Sequence, residues 1–364
     1  MFIEKLELKN YRNYESLDID LSNDVNIFFG DNAQGKTNIL ESIYLCATAS
    51  SHRGSKDKDI IKFESDEAHI KLFTKKREMS YRIDMHLKKN KAKGIAVNGV
   101  PVKRISEVFG ILNVILFSPE DLSIIKDGPS KRRKFLDVEL CQIDKIYLNN
   151  LINYNKILNQ RNKVLKDYEK VNNVDTMLDV LDEQLITYSK EIIKRRKEFI
   201  KELNGIVFDI HSKISDNREK INIVYKPNID EKIEDMYLLN RANDKKYRTT
   251  SIGPHRDDMV FMNDKEDIRV YGSQGQQRTV ALSLKLAEIE LVKNRIGDNP
   301  ILLLDDVLSE LDDKRQHHLI DSLKNVQTLI TCTGVNDFVN KQAGKNKLFK
   351  VINGTVDERS FNEQ

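Results

Sequence analysis

Gly30-Asp31-Asn32-Ala33-Gln34-Gly35-Lys36-Thr37 decides how this chain is read. The stretch fits the phosphate-binding pattern GxxxxGK[ST] at every fixed position. A strand-like run precedes it (Val25, Ile27, Phe28, Phe29) and a helix-like run follows it (Ile39, Leu40, Ile43, Tyr44, Ala47). That strand–turn–helix context separates a site from a Gly-rich turn with a chance lysine. Glycines let backbone N–H groups curl around phosphate oxygens at a helix start. Lys36 is then expected to reach the terminal phosphates and Thr37 to ligate Mg²⁺, which makes ATP and Mg²⁺ the expected cofactors.

The second half of such a site lies far along the chain. Pro300 introduces Ile301-Leu302-Leu303-Leu304, an all-apolar run typical of a central parallel strand, and it ends in Asp305-Asp306. Asp305 is expected to hold Mg²⁺, and Asp306 to orient or deprotonate the attacking water. Alone, an apolar run before two acids is a strand with a polar turn; beside a phosphate loop it reads as function. Most of the chain separates the two halves, so an inserted domain is expected. Between them Ser273-Gln274-Gly275-Gln276-Gln277 opens a helix, and its hydroxyl and bare N–H groups suit an anion. Ser309-Glu310-Leu311-Asp312 follows the acidic pair.

The remaining chain supplies the frame. Residues 2–8 alternate as a half-buried strand, 15–29 read as a strand pair, and 67–105 as an antiparallel meander with a hairpin at Asn98-Gly99. From Ser130 to about Leu203 there is no Gly or Pro. Tyr147, Leu151, Tyr154, Leu158, Arg161, Leu165 and Tyr168 step by four and three, as do Leu178, Leu181, Leu185, Tyr188, Ile192, Arg195 and Phe199. This predicts an antiparallel helical hairpin turning at Lys170–Asp175, its arms some ~45–60 Å long. Strands return at 221–225, 259–262 and 267–271, and a helix runs from about Gly275 to Asn294.

Composition sets bounds. The 364 residues are 39% hydrophobic and 32% charged, with a net charge of +3, so any basic surface must be local. Three scattered cysteines suggest a reduced compartment. With no leader pattern and no long apolar run, a cytoplasmic protein without membrane contact is expected.

Taken together, the four motifs resemble those of ABC-type ATPases, with Ser273, Gly275 and Gln276 in the signature and Ser309 and Asp312 in the D-loop. In that family two heads clamp two ATP molecules, so the signature is implied to act in trans. Further stretches resemble the bacterial RecF family. They are Asn10-Tyr11-Arg12-Asn13-Tyr14, Phe117 to Leu122, Gly128-Pro129 with Lys131-Arg132-Arg133, Gly253-Pro254-His255-Arg256-Asp257-Asp258, and Tyr271 to Thr279. The resemblance runs essentially end to end. It implies an α/β fold: an ABC-type P-loop ATPase head, with a mixed sheet of central parallel strands and an antiparallel meander, carrying an inserted α-helical second lobe. The expected division is head 1–126, helical insert 127–244, head 245–364. It also implies a DNA repair and replication protein that dimerises with ATP, binds single-stranded or gapped DNA without sequence preference and hydrolyses ATP slowly. Such a protein works with RecR and RecO to load recombinase at gaps, and supports SOS induction.

Two departures bear on rate. Asp306 stands where transporters place Glu, and Cys332 near the place of their switch His, so slow turnover is expected; with the resemblance this implies a weak, DNA-stimulated ATPase acting as a switch. No Gln follows the strand 113–117, and Glu120 or Asp121 stands in for it. These departures also argue against a transporter subunit, and the short insert against the long arms of a chromosome-structuring ATPase. DNA phosphates need Lys and Arg. The candidates are Lys131, Arg132 and Arg133 at the start of the insert and Arg195 and Arg196 on its second long helix. The GPHRDD run reads either as a group near the nucleotide or lobe junction, or as a structural turn with a local ion pair.

Overall fold

The computed structural model describes residues 1–169, 173–229, 232–312, 315–316, 318–319, 325–334 and 346–359. It divides into two compact units, Met1–Asp121 with Glu288–Gln364, and Leu122–Ala287. The first unit opens with β1 (Phe2–Tyr11), β2 (Tyr14–Asp20), β3 (Val25–Phe29), α1 (Lys36–Thr48), α2 (Asp57–Ile60), β4 (Glu67–Lys76), β5 (Met79–Lys88), β6 (Lys91–Val97), β7 (Val100–Pro101) and β8 (Val114–Phe117). One antiparallel sheet runs β2-β1-β4-β5-β6-β7. Its inward face alternates as the pleat requires: Ile70 and Leu72 on β4 and Ile83, Met85 and Leu87 on β5 are buried. Asn98 and Gly99 both take positive φ, 52° and 80°, as a two-residue hairpin turn of this hand demands. The expected pair within 15–29 is two strands of different sheets: β2 pairs β1, while β3 pairs elsewhere.

The second unit holds α3 (Leu122–Lys126), α4 (Pro129–Ile143), α5 (Lys145–Lys166), α6 (Val174–Ile214), β9 (Ile221–Lys226), α7 (Ile233–Tyr247), β10 (Asp258–Asn263), β11 (Glu266–Asp267), α8 (Ile268–Tyr271) and the start of α9 (Gln274–Ile296). The expected two-helix hairpin is three helices. Asp144 breaks the run, because its Oδ1 accepts the N–H groups of Ile146 and Tyr147, both at 2.9 Å, and so caps α5. Residues 170–172 of the expected turn lie outside the described residues. Of the two apolar series, Tyr147, Tyr154, Arg161 and Leu165 are buried on α5, and every second member, Leu178, Leu185, Ile192 and Phe199, on α6. The boundary expected at 245 differs. β10 pairs antiparallel with β9 along its length, which ties 258–263 to the helical unit. The expected strand 267–271 is instead mostly helix α8, started by Asp267 Oδ1 accepting from the Arg269 N–H at 2.8 Å.

The first unit is completed by the end of α9, β12 (Ile301–Asp305), β13 (Thr328–Cys332), β14 (Lys347–Ile352) and β15 (Thr355–Arg359). Its second sheet runs β15-β14-β3-β13-β12-β8, parallel except for the edge strand β15. β12 and β8 are buried throughout, as strands covered on both faces must be. The Gln327 side chain joins the two sheets: its Oε1 accepts the Ile3 N–H at 2.7 Å, and its Nε2 donates to the Ile3 carbonyl at 2.8 Å. Only β13 lies between β3 and β12, so the loop after β3 and the acids at the end of β12 emerge at the same carboxyl edge. Ligands of open α/β sheets bind at that edge.

Candidate nucleotide-binding site

The phosphate loop is shaped by residues that only its conformation explains. Gly30 and Gly35 take φ of 150° and 114°. A Cβ on Gly30 would stand 2.4 Å from the Val351 carbonyl oxygen, and one on Gly35 would stand 2.5 Å from Asn13 Nδ2. Glycine is therefore required at both places. Gly35 offers no side chain to cap α1, and a helix start without a side-chain cap suits an anion. The buried Lys36 ammonium donates to the carbonyls of Gly30 and Asp31 at 2.7 and 2.8 Å. Asp31, Asn32 and Ala33 are exposed, with Ala33 at a φ of 64°.

Two hydroxyls and two acids complete the edge. Thr37 Oγ1 donates to Asp305 Oδ1 at 2.8 Å, and Thr331 Oγ1 donates to the same oxygen at 2.8 Å. Thr331 Oγ1 in turn accepts the Asp306 N–H at 2.9 Å. That bond fixes Asp306 at a φ of 52°, in a left-handed conformation Asp tolerates better than most residues. Cys332 is half-buried, and burial together with the Asp306 charge pushes its thiol up to about 11. It remains neutral near pH 7 and cannot replace the proton chemistry of an imidazole. Asp121 accepts the Ser118 N–H at 2.8 Å, a local cap at the place where a Gln was sought.

Sequence reasoning missed the scaffold behind the loop. Asn13 Nδ2 donates to the Gln34 carbonyl at 2.7 Å, and Tyr14 OH to the Gly35 carbonyl at 3.0 Å. The Asn38 amide donates to Asn13 Oδ1 at 2.8 Å. The Gln34 side chain accepts the Asn353 N–H at 2.6 Å. Arg12 grips both carboxylate oxygens of Glu41 on α1 with bonds of 2.8 and 2.7 Å, and Ser51 Oγ donates to the same carboxylate at 2.5 Å. Burial would raise the Glu41 pKa, but the Arg12 and Ser51 hydrogen bonds outweigh it and hold the carboxyl below its usual range. The 10–14 stretch carried a resemblance but no chemical signal for this role.

The signature residues sit in the second unit. Ser273 and Gln276 form a reciprocal capping box: the Ser273 N–H donates to Gln276 Oε1 at 2.8 Å, and the Gln276 N–H donates to Ser273 Oγ at 3.2 Å. Ser273 and Gly275 are exposed. In the first unit Ser309 Oγ donates to the Asp306 carbonyl at 2.9 Å, and Asp312 accepts from the Arg315 backbone and guanidinium.

The expected phosphate contacts need correction. Arg132 is 2% exposed and pairs with Asp258 at 2.6 and 3.1 Å. Arg196 is 1% exposed and meets Asp257, Asp137, Tyr147 and the Pro254 carbonyl. Arg195 pairs with Asp144 and Glu191. A guanidinium already desolvated and paired has no charge left for DNA. Arg133 is half-buried and donates to the Asp257 carbonyl at 2.8 Å; Lys131 is exposed. The GPHRDD run is thus largely the acceptor side of these pairs. Its His255 takes a hydrogen bond from Tyr154 OH at 2.6 Å at Nδ1 and contacts the Thr250 carbonyl through Nε2 at 3.1 Å, and burial lowers its pKa to about 4. Arg256 alone in the run points out, exposed.

The model of the RecF/RecN/SMC N-terminal domain matches residues 2–357. The DNA replication and repair protein RecF of Lachnoclostridium phytofermentans is 54% identical over 98% of this chain and 100% of its own length. The chain belongs to the RecF family. The RecF protein of Lachnospira eligens is 57% identical over 98% of the chain and 99% of its own length. A solved structure of the recombination mediator protein RecF with ATP in the RecFOR pathway superposes with a TM-score of 0.92 at 36% identity, covering 99% of this chain and 98% of that one. An Smc head bound to the C-winged helix domain of ScpA gives a TM-score of 0.57 at 18% identity, with 100% and 99% covered. That likeness is one of fold; together with the RecF match it gives the chain an ABC-type head fold with a helical addition. Among the described residues no helix is long and apolar enough to cross a membrane.

Proposed function

We propose that this chain is an ATP-switched protein of DNA replication and repair, in which ATP joins two copies that then hold DNA. The observation that carries the reading is the 2.8 Å hydrogen bond from Thr37 to Asp305, which joins the phosphate loop to the acidic strand end across the whole insert. The name shared by its relatives, and the ATP carried by a solved relative, support the same reading.

In this reading Gly30 to Thr37 hold the phosphates of ATP through backbone N–H groups, and Lys36 turns from two carbonyls to the terminal phosphates. A hydroxyl and a carboxylate oxygen side by side fit Mg²⁺, so Thr37 and Asp305 would hold it. The bound ion would neutralise charge on the β- and γ-phosphates. Asp306 orients the attacking water. One methylene shorter than Glu, and with Cys332 rather than His nearby, it sustains only slow turnover. Ser273, Gly275 and Gln276 of a second copy close over the nucleotide, with Ser309 and Asp312 at that junction. DNA phosphates are met by Lys131, Arg133 and Arg256 rather than by the buried Arg132 and Arg196, without sequence readout. RecR and RecO partnership, loading of recombinase at gaps and SOS support follow from the family.

The test is DNA binding by Asp306→Asn protein with and without ATP across a salt series. ATP-dependent affinity with a steep salt slope is expected. Affinity equal in both states, or absent from ATP-bound dimers, would remove the DNA clamp and leave only the nucleotide switch.

A further inference from the structure

The outer face of the β4–β5 ladder gathers two imidazoles and a carboxylate. His69 and His86 are directly opposed partners in the register, and Glu67 precedes His69 by two, so all three side chains leave the sheet on one side. The His rings stack at 4.1 Å between centroids with 19° between planes. Glu67 lies between the two Nε2 atoms, with Oε2 3.0 Å from His86 and Oε1 3.6 Å from His69. One ligand atom from each residue lies within 4.8 Å of the others. Gly94 faces His86 from β6, and a Cβ there would come only to 3.9 Å from the His86 Cβ, so the ring is not covered from that side.

We propose that Glu67, His69 and His86 form a Zn²⁺ site with one position open to water. Zn–N and Zn–O bonds of ~2.0–2.2 Å at a tetrahedral angle put ligand atoms about 3.3 Å apart. The two observed contacts, 3.0 and 3.6 Å, bracket that spacing for each Glu67–His pair, through different carboxylate oxygens; to aim both Nε2 lone pairs at one ion the stacked rings turn out of their near-parallel planes, which their half-exposed position allows. Two residues at i and i+2 on one strand with a third across the ladder bring three donors together on one face of a rigid sheet. Two imidazoles and one carboxylate suit Zn²⁺ and disfavour Mg²⁺, which takes oxygen ligands. The site is separate from Thr37 and Asp305 in residues and in ligand type.

Other charges face the same place. Lys88 shares Glu67 Oε2 at 3.2 Å, Lys9 is the register partner of His69, and Lys71 and Asp84 follow along the ladder. Lys88 is the direct competitor, since an entering cation must displace it. It is 40% exposed and can swing into water. The three-ligand set therefore binds Zn²⁺ against a resident ammonium, and its removal strengthens binding.

Tag-free, metal-stripped full chain is titrated with Zn²⁺ against a coloured chelator, with excess Mg²⁺–ATP present to occupy the other site. One Zn²⁺ per chain is expected. His86→Ala and Glu67→Gln each weaken binding by at least roughly 10- to 100-fold, the range typical even for loss of outer-shell partners. Lys88→Gln tightens it several-fold. Co²⁺ in place of Zn²⁺ gives a visible band that His86→Ala abolishes. Far-UV spectra and ATP binding of each variant separate loss of the site from loss of fold. Zn²⁺ uptake unchanged by His86→Ala and Glu67→Gln in folded protein, no Zn²⁺ uptake by the wild type, or weakening by Lys88→Gln would overturn the proposal.

Discussion

Lys36 and Arg196 are both buried cations, one in each unit, and their partners separate their roles. Among the described residues Lys36 donates only to two neutral carbonyls. Arg196 meets two carboxylates, a phenol and a carbonyl. A cation held by carbonyls keeps its charge for an incoming anion, whereas one enclosed by carboxylates has already used it to hold the fold. In the sequence Lys36 is set apart by the phosphate-loop pattern, whereas Arg196 is one basic residue of a charged helical run. The difference teaches that a cation's function is read from what compensates it.

The largest expected effect tests the structural half of the contrast. Arg196→Ala leaves Asp257 buried without its charged partner and should cost about 3–5 kcal/mol in the second unit. Hydrogen exchange of α6 amides against urea measures this locally; a loss under about 1 kcal/mol would show that the pair carries little. Next, Lys36→Ala should leave those same amides unchanged while weakening ATP by about 1.5–3 kcal/mol, roughly 10- to 100-fold in Kd. Equal ATP affinity by calorimetry would break the comparison from the other side. A smaller effect sharpens it. Burial holds His255 at about 4 in the fold against 6.5 when unfolded, so the unfolded chain takes the proton first. Its contribution is full above pH 6.5 and is lost as pH falls toward 4, at up to about 1.4 kcal/mol per pH unit. His255→Gln should flatten that part of the stability curve, and an unchanged acid slope would assign it to other groups.

Much of the first unit was legible. The loop matched a fixed pattern, β12 an unbroken apolar run, and the meander its alternation and Asn-Gly turn, all of them local signals. What was not legible depends on pairs far apart in the chain. Arg132 and Arg196 find Asp258 and Asp257 at 126 and 61 residues' distance along the chain, so their burial left no mark near them. The break at Asp144 rests on a side-chain cap rather than Gly or Pro, and α6 continues through Gly205 because packing outweighs that residue's weak helix propensity. The boundary near 245 moved because β10 pairs with β9, a choice that alternation alone does not make. Asn13 and Tyr14 could not be read as supports of the loop, since their targets are backbone carbonyls.

The central claim is that nucleotide bound at Lys36 and Thr37 joins two copies through Ser273. It is tested most directly by the solution mass of Asp306→Asn protein with Mg²⁺–ATP, compared with Asp306→Asn/Ser273→Arg, with nucleotide binding measured on both. The account predicts a doubling of mass on adding ATP in the first, and in the second a monomer that still binds ATP. A monomer in both, or ATP binding lost with Ser273→Arg, would contradict it.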